Sequence, residues 1–186
     1  MAADDFSAAS TALTDAVLAA TVDPADGIRL LLPLAGFVPV PLPGGGPLAQ
    51  AARAAQFAIA ANLRVAACAA LARAAQTYQP ISYQDAQSVR VLVCDALDAE
   101  ATRVADAGND ATYQALRTLR AAVALDLAVR GANLAVLIEV TTRVPMAALA
   151  EAWGLYQDTS RTPSLVASAD PPHPLFLPLD FPALSQ

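Results

Sequence analysis

The stretch from Leu48 to Tyr78 constrains this chain most: alanine recurs at almost every other position, and neither proline nor glycine interrupts it. Alanine has the best intrinsic helix propensity because its side chain loses no rotamer freedom and buries no polar group. The stretch is therefore predicted as one long helix, small-sided enough for neighbouring backbones to approach it closely. Arg53, Gln56 and Arg64 fall near one of its faces. They read as a solvated stripe, with an ion-pair row to another subunit as the alternative.

Two further long helical patterns follow. Gln79-Pro80 ends the first helix, and Ser82-Tyr83-Gln84-Asp85 supplies the next with a serine cap and an acid in its first turn. Val89, Leu92, Val93, Ala96, Leu97 and Val104 form its apolar stripe, and Gly108 closes it. Asn109 caps a third helix, in which Leu116, Leu119, Val123 and Leu127 recur at helical spacing while Arg117, Arg120, Asp126 and Arg130 fall off that line. Gly131 is its natural stop. Three long helices with short connections predict an antiparallel bundle over residues 48–132.

Upstream, Phe6, Leu13, Val17 and Leu18 predict a short amphipathic helix from about Asp5 to Val22, with Asp4 or Asp5 as its cap. Asp23-Pro24-Ala25-Asp26-Gly27 reads as its stop. From Ile28 to Pro47, apolar residues alternate with Pro33, Pro39, Pro41, Pro43 and the Gly44-Gly45-Gly46 run, which argues against sustained regular structure. A plain exposed linker would be more polar. This run is therefore expected to lie extended on an apolar surface, of this protein or of a partner, and to end in a glycine hinge. Leu30, Leu31, Leu32, Phe37 and Val38 are its candidate partner contacts. Residues 1–47 thus read as a helix and a linker.

After Gly131 the composition shifts. Val136, Leu137, Ile138, Val140, Thr141 and Thr142 favour a strand. Pro145 opens a helix whose buried face is expected to be Met146, Leu149, Ala150 and Trp153, with Gly154 as its end. Pro163 opens a second short helix carrying Leu165 and Val166, and Leu175-Phe176-Leu177 follows as the second strand. The expected fold class is mainly α: an antiparallel helical bundle followed by a small βααβ module over residues 133–186.

Leu155-Tyr156-Gln157-Asp158-Thr159-Ser160-Arg161, then Ser164-Leu165-Val166, then His173-Pro174-Leu175-Phe176-Leu177-Pro178 resembles the C-terminal end of the DNA-circularisation protein family of Mu-like phages. The likeness extends weakly upstream through Ala115 to Val123. The same terminal pattern is similar to LysM-like modules, which bind cell-wall glycan in many proteins and serve as structural clamps in phage baseplates. The resemblance implies a virion tail protein near the baseplate hub, oligomeric in the assembled particle. Other tail and baseplate proteins would be its partners, and it would occupy the host cytoplasm during assembly and the virion tail afterwards. Trp153, Tyr156, Asp158, Arg161, Leu165, His173 and Phe176 would pack or dock the module. Gln157 replaces the family's turn glycine, and Ser168-Ala169 stands where Arg-Asn is common. The lost asparagine is a hallmark of LysM modules, so peptidoglycan binding is the alternative reading, and DNA-end binding ranks below it.

Chemistry is expected to be absent. His173 is the only histidine among 186 residues, and no Gly-x-Ser-x-Gly elbow accompanies it, so no catalytic residue is assigned. Asp95, Asp98 and Glu100 read as a solvated acidic face rather than an acid-base pair. Cys68 and Cys94 read as buried thiols, with a disulfide between neighbouring helices as the alternative, and neither has a second cysteine or a histidine at ligand spacing, so no metal or cofactor is expected. The net charge is -6, with eleven scattered basic residues, all arginine, which stands against a phosphate-neutralising nucleic-acid surface. No uninterrupted apolar run suggests a membrane span, and the acidic start Met-Ala-Ala-Asp-Asp is unlike a secretory signal.

Overall fold

The computed structural model describes residues 2–185, with side chains from residue 5. In chain order the elements are α1 (Ala2–Ala20), α2 (Pro24–Ala35), α3 (Pro47–Thr77), α4 (Tyr83–Asp106), α5 (Asp110–Gly131), β1 (Leu137–Thr141), α6 (Ala148–Tyr156), a 3-10 turn (Thr159–Arg161), α7 (Thr162–Ala169) and β2 (Asp180–Leu184). The protein is mainly α, 69% helical, with one two-stranded antiparallel sheet near the C-terminus. The chain divides into two compact units: Met1–Gln79 with Gln87–Val129, and Pro80–Ala86 with Arg130–Gln186.

The first unit is organised around α3. Ala67, Cys68, Ala70, Leu71, Ala74 and Ala75 of α3 meet Ile28, Leu31 and Ala35 of α2, Val93 and Leu97 of α4, and Leu116, Val123 and Leu127 of α5 in one core. Val17 and Leu18 of α1 pack against it. Each leucine buried this way contributes about 1.5–3 kcal/mol, while the alanines contribute mainly by allowing close approach. Arg73 of α3 ion-pairs with Asp15 of α1, and Arg120 of α5 with Asp98 of α4 at 2.8 Å. The second pair joins the middle parts of α4 and α5, at similar distances along the chain from the turn that connects them, as antiparallel neighbours require. By length and composition alone α3 is long and apolar enough to cross a membrane, which the run-length reading overlooks; a third of its most apolar window is buried within the protein.

The caps expected around α4 and α5 form. The Ser82 hydroxyl accepts from the Asp85 N–H at 3.1 Å while the Asp85 carboxylate accepts from the Ile81 N–H at 2.9 Å. Asn109 Oδ1 accepts from the Thr112 N–H, and Gly108 takes the left-handed conformation (φ 74) that ends α4. The Asp4 side chain lies outside the described residues. Asp5 sits within α1 rather than before it, because that helix already begins at Ala2.

Residues 24–35 correct the expectation of an extended linker. They form α2, because Asp23-Pro24 is a start signal here rather than a stop. Asp23 caps the Ala25 N–H at 2.8 Å, and Pro24 occupies the first turn, where its missing N–H costs no bond. Pro33 falls in the last turn and is tolerated. Leu31 is consequently fully buried in the core and Leu32 partly buried, so neither serves as an external contact, whereas Leu30 remains exposed. The N-terminal segment therefore belongs to the same compact unit as the long helices.

Only residues 37–45 are extended, and they lie on the protein's own surface. The expected solvated stripe of α3 is what holds them. Arg53 donates to the carbonyls of Leu42 (3.2 Å) and Gly44 (2.7 Å), Gln56 to that of Val40 (2.7 Å), and Arg64 to that of Phe37 (3.2 Å). Phe37 and Val38 keep their side chains exposed.

Two α4 assignments also change. Leu92 is exposed, so the stripe runs through Val89, Val93, Leu97, Ala101 and Val104. Glu100 is not part of an acidic face. It is fully buried, with Oε2 at 2.6 Å from Arg64 Nε and 3.2 Å from Arg103 Nη1. Asp95 is exposed and Asp98 half-buried, in line with the outward-facing reading. Removing one partner of a buried ion pair leaves the other charge uncompensated. Glu100→Ala is accordingly expected to cost about 3–5 kcal/mol in urea unfolding followed by helical circular dichroism. An unchanged midpoint would show that the pair contributes nothing.

Candidate interaction surface

The second unit has its own small core of Ala148, Ala152, Leu165, Leu177, Phe181 and Ala183, flanked by Val140, Leu155, Tyr156 and Val166. β1 and β2 pair antiparallel with Val140 opposite Phe181 and Glu139 opposite Pro182. Ser185 donates to the Val136 carbonyl and Thr142 to that of Leu179, so the even-numbered residues of β1 occupy the hydrogen-bonded positions. Pro182 faces away from that ladder, and its missing N–H is harmless there. The segment 80–86 is tied to β1. The Gln84 side chain donates to the Leu137 carbonyl (3.0 Å) and accepts from its N–H (2.8 Å), and the Tyr83 N–H bonds the Ala135 carbonyl.

The second strand differs from expectation. Leu175-Phe176-Leu177 is a turn, and the strand is Asp180–Leu184. Pro174 and Pro178 leave that run too few N–H groups for a ladder, whereas Phe181 and Ala183 alternate inward around Pro182. The turn is anchored by Ala148 N–H to the Pro174 carbonyl (2.8 Å) and Leu177 N–H to the Met146 carbonyl (2.9 Å). The start of α6 and the turn at residues 174–177 therefore lie side by side.

This placement inverts the expected face of α6. Ala148 and Ala152 point into the core, while Leu149 is 58% and Trp153 55% exposed. Met146, Leu175 and Phe176 are exposed beside them, Phe176 at 65%. Trp153 and Phe176 thus leave the packing set, while Leu165 is buried and Tyr156 half-buried within it. α6 and the turn bonded to its start thus both present large apolar side chains outward. Isolated exposed apolar residues are ordinary; five large ones on two segments joined by backbone hydrogen bonds make this the candidate interaction surface. Small alanines at positions 148 and 152 were the signal, since alanine lets a short helix sit close to Leu165 of α7 and to Leu177 and Phe181 in one small core.

The remaining module residues shape the turn between α6 and α7. α6 does not stop at Gly154 but runs to Tyr156, and Gln157 takes the left-handed conformation (φ 55) at its end. Asp158 accepts from the Ser160 N–H and hydroxyl, both at 2.8 Å, and these bonds hold its carboxyl below the usual range. Arg161 lies over the Tyr156 ring at 4.9 Å rather than in an ion pair with Asp158. His173 is exposed, accepts the Leu175 N–H on Nδ1 at 3.1 Å, and tilts against Phe176 at 6.2 Å. It organises the turn before β2, and among the described residues no nucleophile is shown bonded to it.

Both cysteines are buried free thiols, and burial pushes Cys68 up to about 12. Among the described residues no group of three or more His, Cys, Asp or Glu is arranged to hold a metal ion. No protein-family model matches the chain, and no curated protein matches it.

Two expectations follow for the turn. Gln157→Gly should stabilise the protein by up to about 1 kcal/mol in thermal or urea unfolding, because glycine adopts the left-handed conformation without steric cost. The folded Asp158 carboxyl is depressed, so its contribution is present above the unfolded value and is lost as pH falls through the lower, folded one. Amide exchange at Ser160 should accordingly speed up, relative to a Gln157 reference amide, only in that acidic range; pH-independent protection would contradict the capping role.

Proposed function

We propose that this chain is a non-enzymatic docking subunit of a phage or phage-derived tail at the baseplate hub, with the βααβ module acting as a LysM-like clamp on a neighbouring tail protein. The observation that carries this reading is the outward exposure of Met146, Leu149, Trp153, Leu175 and Phe176, beside a helix whose two fully buried residues are both alanine. Tryptophan at the centre of an apolar patch is the residue type most often found to dominate binding energy. The module's resemblance supplies the tail context, and the proline-spaced strap at Phe37 and Val38 offers a second exposed apolar stretch.

Trp153 is the only tryptophan, so its emission reports this surface alone. Docking on isolated tail proteins should shift that emission to shorter wavelength, and Trp153→Ala should weaken incorporation into purified particles by about 2 kcal/mol of binding or more. The fold should persist, since the side chain is half exposed; circular dichroism checks this. Absence of the chain from purified particles would sink the proposal. Retention on purified peptidoglycan, lost in the same variant, would favour the glycan reading, in which sugar rings stack on Trp153 and Phe176. Salt-sensitive retention on DNA would favour the DNA-end reading.

A further inference from the structure

Away from the module, a cavity of about 550 Å3 opens between α3, α4 and the start of α5. Phe57, Val65 and Val104 give it apolar walls, and Asn62, Arg103 and Asn109 give it polar ones. Glu100 lines it from within. Its Oε2 takes the bonds from Arg64 and Arg103, but Oε1 is sealed from solvent and has no hydrogen-bond partner. A buried acceptor left unmatched is costly, and native proteins nearly always satisfy one.

Charge narrows what would satisfy it. Two guanidinium groups already face the single carboxyl group, so a cation entering the cavity would add to an excess of positive charge. A carboxylate would bring a second acceptor against Oε1 where a donor is wanted. The group that fits is uncharged and does both, donating to Glu100 Oε1 and accepting from Arg103, which lines the cavity, bonds Oε2 at 3.2 Å and is 39% exposed. Arg103 has the exposure to turn aside and admit it.

We infer that this cavity binds an uncharged amphiphilic ligand, its apolar body against Phe57, Val65 and Val104 and its tip a primary carboxamide or an alcohol bonded to Glu100 and Arg103. The site lies wholly in the first unit and goes beyond the docking reading, which concerns the second. A free small molecule and an asparagine, glutamine or serine side chain of a partner segment share this chemistry.

The test uses the full chain, isotope-labelled for two-dimensional amide NMR, titrated with four probes that share one branched apolar body: isovaleramide, isoamyl alcohol, isovalerate and isoamylammonium. The amide and the alcohol should shift the amides of Asn62, Arg103 and Asn109 and bind at least about tenfold more tightly than the two ions. Either of the two binding alone supports the site and tells carboxamide from hydroxyl. Ala107→Trp and Ala58→Trp, which enlarge exposed residues on the cavity wall, should each abolish the shifts while leaving the rest of the spectrum in place. Preference for isoamylammonium or for isovalerate overturns the inference. So does the absence of localised shifts with every probe up to its solubility limit, or binding that survives both tryptophan variants.

Discussion

The first unit depends on one buried guanidinium. Arg64 bonds Glu100 of α4 through Nε and the Phe37 carbonyl through Nη1, so a single side chain joins three segments that are far apart in sequence. A buried ion pair adds little net stability, because the desolvation of both charges offsets most of their attraction. Its value here is directional. The core face of α3 is largely alanine, and alanines one turn apart are nearly interchangeable as packing surfaces. We read the pair as the contact that fixes the register of α4 along α3, since no shifted register would bring Glu100 to Arg64.

The same helix shows why a polar stripe need not be a solvated one. Arg53, Gln56 and Arg64 each meet backbone carbonyls of the extended segment, and that segment has few N–H groups of its own to offer because proline recurs at 39, 41 and 43. Proline-rich backbone is rich in acceptors and poor in donors. A row of arginine and glutamine is its natural complement. The glycine run that follows, with Gly44 at φ 118, then turns the chain into α3.

In the second unit, size rather than polarity decides which side of α6 faces inward. The core of this unit is small, and Leu165, Leu177 and Phe181 fill much of it beside Ala148 and Ala152. Leu149 and Trp153 point outward, while Leu155 and Tyr156 at the end of α6 stay packed against the core. An exposed apolar face on a small module can thus accompany a core that takes Phe181 and Leu177 and leaves Leu149 and Trp153 outside.

Local signals determined much of this architecture. The three long helices, the Ser82 and Asn109 caps, the Gly108 stop, the β1 strand and the order strand, helix, helix, strand all follow from propensity, capping and period, which act within a few residues and are therefore written in sequence. Tertiary structure decided the rest. It made Asp23-Pro24 a helix start, moved the last strand from Leu175–Leu177 to Asp180–Leu184, and turned Trp153 and Phe176 outward. Glu100 is the most instructive case: the stripe's gap between Leu97 and Val104 placed a carboxylate on the buried face, but only the approach of Arg64 from α3 could make that position tolerable. A charge is readable as buried only when its partner is known, and the partner lies 36 residues away. Helix formation is a local free-energy balance that the sequence states outright, whereas burial of polar groups depends on long-range complementarity that the folded chain alone supplies.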